Sequence, residues 1–407
     1  MEIELVGNFI LGKKAFDRSA IEKRMRAGEF NSLSKFELYI WDLEMFLQLQ
    51  SRLGDKIILK GGAATQFYLP ISSQRTSIDI DMVCLASKDE VLEVIRDIEK
   101  TLVTVGENFK FRLYKPQNPR VGLDMLDTYF QTVPSICTDK ELFTTRGKQE
   151  VKIEFMYLKG DYSINKMSKP KLFALETDQE FNLLSFENLF ADKLTTLGPN
   201  TIGIHDDRSD EQVKQIYDVI ELMTANISEV IEKKEAIKAN YLKVAREECV
   251  IHSIEFDEKV LLADMELLIN RLKNIENDSE FLSRANDFQS LYLRKSVNRN
   301  KTQWAIVGYQ LELLKEFIFR DNNSLLNFFE ISGYLEKAQF PHIQGPERGK
   351  AIKEVREKLK EEFNNIENLS VDIFKKKIDR IVWELVTVVD FRDIERVTEN
   401  SINLVRG

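Results

Sequence analysis

Every strand-like pattern in this chain lies before residue 185, and everything after it reads as helix. Lys56–Leu59 (KIIL) is a short apolar run. Ile78–Leu85 (IDIDMVCL), Phe109–Lys115, Met125–Val133 and Val151–Leu158 alternate β-branched or aromatic residues with polar ones. Such alternation suits an antiparallel or mixed sheet with one wet face. Helical spacing of apolar residues marks Ser19–Ala27, Ser34–Leu53, Ala63–Tyr68, Lys88–Val103, Ser185–Leu197 and Ser209–Met223 around these strands. From Asn226 onward only helical faces recur, among them Leu261, Met265 and Leu268, then Trp304, Leu311 and Leu314, and finally Ile378, Ile381 and Leu385. No fixed repeat period links them, which favours a bundle over a solenoid. A chain divided in this way is expected to fold as an α+β domain, a mixed sheet flanked by helices over residues 1–225, followed by an all-α helical bundle domain over 226–407. With 17 glycines and 8 prolines in 407 residues, turn punctuation is sparse enough for long helices.

Several function classes fall away on composition. No stretch approaches the ~18 uninterrupted apolar residues of a membrane span, and the opening MEIELVGNFILGKK is too acidic for a signal peptide, so a cytoplasmic protein is expected. Cys84, Cys137 and Cys249 are too few and scattered for a disulfide framework or a zinc site. His205, His252 and His342 stand far apart in sequence, which leaves carboxylates as the expected workers. A net charge of −9 gives no long-range attraction for nucleic acid, so any such binding needs a local basic patch.

The stretch Leu59–Val83, LKGGAATQFYLPISSQRTSIDIDMV, concentrates the chemistry. Gly61 and Gly62 follow a strand and open a helix, an arrangement that can aim backbone N–H groups at a phosphate. Asp79 and Asp81 stand two apart on the next strand and therefore share a face, while Ile78, Ile80 and Met82 point to the core. Two neighbouring carboxylates repel unless a cation sits between them, and hard oxygen ligands suit Mg²⁺. Alone, a Gly-Gly pair is a turn and an Asp-x-Asp a solvated face; their order and spacing make the combination specific.

At these residues the chain resembles the polymerase-β-like nucleotidyltransferase superfamily. More narrowly, Lys60-Gly61-Gly62-Ala63-Ala64 and Arg75-Thr76-Ser77-Ile78-Asp79-Ile80-Asp81 resemble two signatures of the AbiEii/AbiGii abortive-infection toxin family, KGG(T/A)A and R-x-S-x-D-I-D. The gap between them is slightly longer here, which assigns a loop to Leu69–Gln74. A third carboxylate on a neighbouring strand is matched by Glu154 in VKIEF. The A-(E/D)-K-L helix is matched by Ala191-Asp192-Lys193-Leu194, and the K/R-D-x-Y-D-L helix by Lys214–Val219. In the last motif Gln215 replaces the first acid, whereas Asp218 is retained. The likeness covers roughly residues 55–225.

The resemblance implies an NTP as substrate and two Mg²⁺ ions, or Mn²⁺, held by Asp79, Asp81 and Glu154. It implies phosphate binding at Gly61 and Gly62, with Arg75 as a bidentate fork and Lys193 as a point charge, and with Lys214 and Ser77 at the nucleotide. Asp218 would orient Lys193 or Lys214 or reach the nucleotide sugar; a plain i,i+4 pair between Lys214 and Asp218 is the simpler reading. The family further implies tRNA or another cellular target as acceptor and a cognate antitoxin as partner. Transfer to a protein or small molecule, γ-phosphoryl transfer, and a non-catalytic nucleotide-binding role remain open. One local basic segment, Tyr292–Trp304, holds Arg294, Lys295, Arg299 and Lys301 between two aromatics and is the expected place for gripping RNA, unless it is a solvated interhelical loop.

Overall fold

A mixed seven-stranded sheet carries the first half of the chain. In the computed structural model the described residues are 5–104, 107–115, 125–136, 148–158, 162–205, 208–367 and 369–403; Cys137 lies outside them. In chain order the strands are β1 (Leu5–Val6), β2 (Ile57–Lys60), β3 (Asp79–Cys84), β4 (Val103–Thr104), β5 (Glu107–Asn108), β6 (Phe111–Leu113), β7 (Leu126–Pro134), β8 (Lys148–Tyr157), β9 (Ile164–Ser168) and β10 (Glu180–Leu184). β1, β4 and β5 form a small separate sheet, and the others follow the order β6-β7-β8-β3-β2-β10-β9. β8 runs parallel to β3 and β10 parallel to β2, while the remaining neighbours are antiparallel. β9 and β10 were not among the expected strands. The last four residues of β10 are all buried, so its sequence, EFNLL, lacks the alternation of a half-wet strand.

The helices that matter for the site are α1 (Arg18–Ala27), α2 (Leu33–Leu53), α3 (Gly61–Thr65), α4 (Lys88–Thr101), α5 (Phe186–Thr195), α6 (Ser209–Ala225), α7 (Ile227–Glu232) and α8 (Lys234–His252). The α2 helix is buried on nearly every side, not on one stripe. Its polar residues must therefore find partners inside. Glu44 does so by accepting from the backbone N–H of Ile10 and Leu11 (both 2.9 Å). Glu37 accepts from the N–H of Ile136 (2.7 Å) and from Gln149 Nε2 (2.8 Å).

Asp42 is the exception. Both its carboxylate oxygens are buried and have no hydrogen-bond partner among the described residues. Burial, reinforced by the charges of Asp79 and Asp81, pushes its carboxyl well above the ordinary range. The folded protein thus holds a proton here that the unfolded chain releases above pH ~4. Stability should consequently fall as pH rises from about 4, by up to about 1.4 kcal/mol per pH unit at 25 °C. Asp42→Asn should flatten that slope in urea unfolding between pH 4 and 8; parallel curves for the two proteins would refute the assignment.

The chain divides into two compact units, Met1–Met265 with Ser283–Asn298, and Glu266–Leu282 with Arg299–Gly407. These do not coincide with a division at 225. The α8 helix packs on α5. Phe288 lies against Tyr217 of α6, and the carbonyl of Tyr292 accepts from the N–H of Thr76 (3.1 Å). Segments beyond 225 thereby complete the first unit's core. The second unit is helical; Trp304, Leu311, Leu314, Phe317, Ile381 and Leu385 are buried in it. Among the described residues no helix is long and apolar enough to cross a membrane.

Candidate active site

Strand register decides what shares a face. Asp81 of β3 lies opposite Glu154 of β8, Asp79 opposite Lys152, and Lys60 of β2 opposite Asp81. Because residues paired across strands point the same way, one sheet face carries Lys60, Asp79, Asp81, Lys152 and Glu154. The other face carries Leu59, Ile80, Met82, Ile153 and Phe155, all essentially inaccessible. An apolar layer behind thus anchors a charged layer in front.

The two glycines of α3 serve this layer in a way that differs from expectation. Gly61 has φ +67°, and a Cβ there would stand 2.1 Å from Asp81 Oδ2. At Gly62 a Cβ would meet Arg75 Nη2 at 2.7 Å and Ser77 Oγ at 3.2 Å. Both glycines therefore make room for side chains of the protein itself. Gly61 lines the cavity described below, whereas Gly62 and Ser77 do not.

Crowded carboxylates perturb one another. Burial, with the Glu154 and Asp79 charges, pushes Asp81 up to about 7. Burial would raise Glu154 too, but Lys152 Nζ (3.0 Å) and the hydrogen bond donated by Thr128 Oγ1 (3.1 Å) hold it below its usual range. Asp81 and Glu154 are hydrogen-bonded to each other, so they share a proton in the absence of a cation.

Arg75 does not stand free as a fork for phosphate, and Asp218 contacts both Arg75 and Lys193. Arg75 Nε and Nη2 donate to the two carboxylate oxygens of Asp218, each at 2.7 Å, and the guanidinium is buried away from the cavity. An arginine so engaged has no fork left for a phosphate. Asp218 also accepts from Lys193 Nζ (2.8 Å), as does Gln215 Oε1 (2.6 Å). Burial alone would raise Asp218, but the Arg75 and Lys193 charges outweigh it and hold it low. The residue that departs from the family motif, Gln215, thus supplies Lys193 with a neutral acceptor. Arg75, Lys193 and Asp218 together keep a surplus positive charge, and Lys193 presents it at the cavity wall.

The i,i+4 pair between Lys214 and Asp218 is not formed. Lys214 instead places Nζ 4.7 Å from the centroid of the Tyr292 ring, is nearly fully buried, and makes no ion pair among the described residues. Burial lowers its affinity for a proton despite the nearby Asp79. A buried lysine in this condition is stabilised by any anion that enters.

One cavity of about 410 Å³ gathers Gly61, Asp79, Asp81, Glu154, Lys193 and Lys214. It also contains residues to which the sequence assigned no site role: Lys60, Lys152, Asp192, His205, Glu248 and His252. Lys60 Nζ pairs with Asp192 Oδ1 at 2.6 Å. His205 and His252, distant in sequence, bring their rings within 6.4 Å. Lys152 was legible in principle, since it stands two before Glu154 on one strand; Glu248 and His252 carry no local signal.

The basic segment is also corrected. Tyr292 and Trp304 are buried and cannot stack bases. The Arg294 guanidinium lies over the Phe30 ring, and Arg299 over Trp304.

A divalent cation fits the acidic layer by donor chemistry. Among the described residues no three His, Cys, Asp or Glu side chains converge as a ready-made cage. Mg²⁺, however, is usually held by one or two carboxylates completed by water and substrate phosphates, and the abutting Asp81 and Glu154 oxygens are such a pair.

Together the mixed sheet, flanking helices and carboxylate-bearing central strands form a domain of the nucleotidyltransferase class. The sequence profile described as "Nucleotidyl transferase AbiEii toxin, Type IV TA system" matches residues 46–295, more than half of the chain, and the chain belongs to that family. No curated protein sequence matches it. Similar solved structures include a candidate nucleotidyltransferase from H. pylori (14% identity, 72% of this chain and 98% of that one, TM-score 0.35). Another is MenT4, a nucleotidyltransferase toxin from Mycobacterium tuberculosis (12% identity, 74% and 99%, TM-score 0.40). Both likenesses are distant, and membership stands on the sequence match.

Proposed function

We propose that this protein transfers a nucleoside monophosphate from an NTP to a hydroxyl of an RNA acceptor, with tRNA as the target, in the cytoplasm and under the control of a cognate antitoxin. The observation that carries the reading is the pairing of Asp81 with Glu154, beside Asp79, in a cavity whose wall presents Lys193 and Lys214. Asp81 and Glu154, with Asp79 alongside, would hold Mg²⁺ or Mn²⁺. A bound cation supplies Lewis-acid neutralisation of the α-phosphate and eases ionisation of the acceptor hydroxyl.

The chain's own residues do the rest. Lys193, held by Asp218 and Gln215, and the buried Lys214 bind the triphosphate and fix its direction. Glu154, kept ionised by Lys152, accepts the proton of the attacking hydroxyl. That oxygen bonds to the α-phosphorus, and the bond to the β-phosphate oxygen breaks with its electron pair leaving on pyrophosphate.

Incubation with NTPs labelled at the α- or the γ-phosphate, with total RNA and with protein, tests this. Label from the α-position should appear on RNA and require a divalent cation. Label from the γ-position on the acceptor would make the protein a phosphotransferase, and label on protein would move the acceptor class.

A further inference from the structure

The carboxylate face does not end at β8. Register sets Asp81, Glu154 and Thr128 of β7 in one row across the sheet. The N–H of Tyr114, just past β6, donates to the Thr128 carbonyl (2.8 Å), and Tyr114 closes that row. In the next row Asp79, Lys152, Phe130 of β7 and Arg112 of β6 stand side by side. At the opposite end Lys60 of β2 lies beside Asp81 and is bound to Asp192 of α5, next to Lys193. Strand order therefore puts the carboxylates between the α5 lysine and a shelf on β7 and β6. Tyr114 stands two strand spacings from Glu154, ~10 Å.

Packing does not account for what this shelf carries. The hairpin serves the core with its other face, where Tyr129 is buried and Phe111 packs edge-on against it at 6.5 Å. On the shelf, Phe130 is a partly buried floor. The Arg112 guanidinium lies 4.9 Å from its ring centroid, and the Tyr114 ring meets it edge to face at 6.0 Å and 81°. Tyr114 is nonetheless 50% exposed. The ion pair of Arg112 with Glu150 (3.3 Å) is open to water on both sides and holds the guanidinium weakly. An exposed ring and an available guanidinium on an open sheet face suit single-stranded nucleic acid. Bases stack on the ring or on the guanidinium plane, and the cation meets the backbone.

In-line displacement gives the shelf its occupant. The attacking oxygen enters opposite the leaving pyrophosphate. With the triphosphate at Lys193 and the attacking proton taken by Glu154, the acceptor strand leaves the reaction centre over β7 and β6. Resting on the nucleotidyl-transfer reading above, we propose that Tyr114 and Arg112 form a stacking shelf outside the cavity for an unpaired base of the acceptor strand, with Phe130 as the positioning residue that props both. Such a shelf is indifferent to base identity, since every base has a π-face.

The test uses the full chain, Mg²⁺, α-labelled NTP and a single-stranded RNA acceptor. Tyr114→Leu should raise the KM for RNA by about 10-fold with the KM for NTP unchanged, and Tyr114→Phe, which keeps the ring, should retain the wild-type value. Acceptors carrying one abasic residue, scanned along the strand, should show the same rise at one position with wild-type protein. Tyr114→Leu should add nothing further there. An unchanged KM for RNA in Tyr114→Leu, or a rise that Tyr114→Phe shares, would overturn the shelf while leaving the transfer reaction standing. A rise in the KM for NTP alone would also overturn it, by giving the ring to the incoming base. If RNA is not labelled at all, the transfer reading falls, and binding of fluorescent single-stranded RNA decides the shelf separately. Weaker binding by Tyr114→Leu but not by Tyr114→Phe supports it; equal binding by both variants and wild type overturns it.

Discussion

Asp81→Asn should lower nucleotidyl transfer by about 10³-fold while the protein stays folded. The substitution keeps the side chain's shape but replaces an anionic oxygen with an N–H donor at the point where β3 and β8 bring two carboxylates together. That swap removes cation affinity and turns one lobe of the site toward repelling it. Folding should not suffer, because the ionised carboxylate is a burden in the free protein. Burial and Glu154 oppose its charge, so a neutral amide relieves repulsion. Labelled transfer and thermal unfolding, measured on the same preparation, check both halves. Retained activity would remove Asp81 from the site, and a lower melting temperature would show that the carboxylate pair supports the sheet.

Asp218→Ala carries the largest expected stability effect, a loss of about 3–5 kcal/mol. Asp218 is the shared counter-charge for Arg75 and Lys193, all three buried, and its removal leaves two cations facing one another without an anion. Asp218→Asn should cost nearly as much, since the missing element is charge and not volume. The acid response has a definite sign. A carboxyl held below its ordinary range in the folded state stabilises above the unfolded value and loses that contribution as pH falls through the folded one. Urea unfolding at neutral pH and below pH ~4 should therefore show the difference between wild type and Asp218→Asn shrinking with acid. A difference that is constant with pH would mean that Asp218 matters through packing alone.

The expected strands at 78–85, 125–133 and 151–158 were legible because a half-wet strand writes its two-residue period into the sequence. That same period placed Asp79 and Asp81 on one face. β10, buried over its last four residues, left no such period, and β9 lies at the sheet edge, where three of its five residues are only partly covered and the others exposed. For the site, residue types were legible and partners were not. Arg75 looked like a phosphate ligand from its motif, yet its carboxylate partner lies 143 residues away. Gln215 looked like a defect in its motif, yet it steadies the lysine that faces the cavity.

What the sequence by itself determined is local: the helix and strand periods, the polar face of β3, and the chemical kind of group available on it. Only the tertiary structure decided which of those groups remain for a ligand. Lys193 and Lys214 reach the cavity, while Arg75 is consumed by Asp218 and Gly62 is covered by Arg75. The physical reason is that buried charges are settled by the nearest opposite charge in space. Chain folding sets that distance, and no spacing along the sequence encodes it.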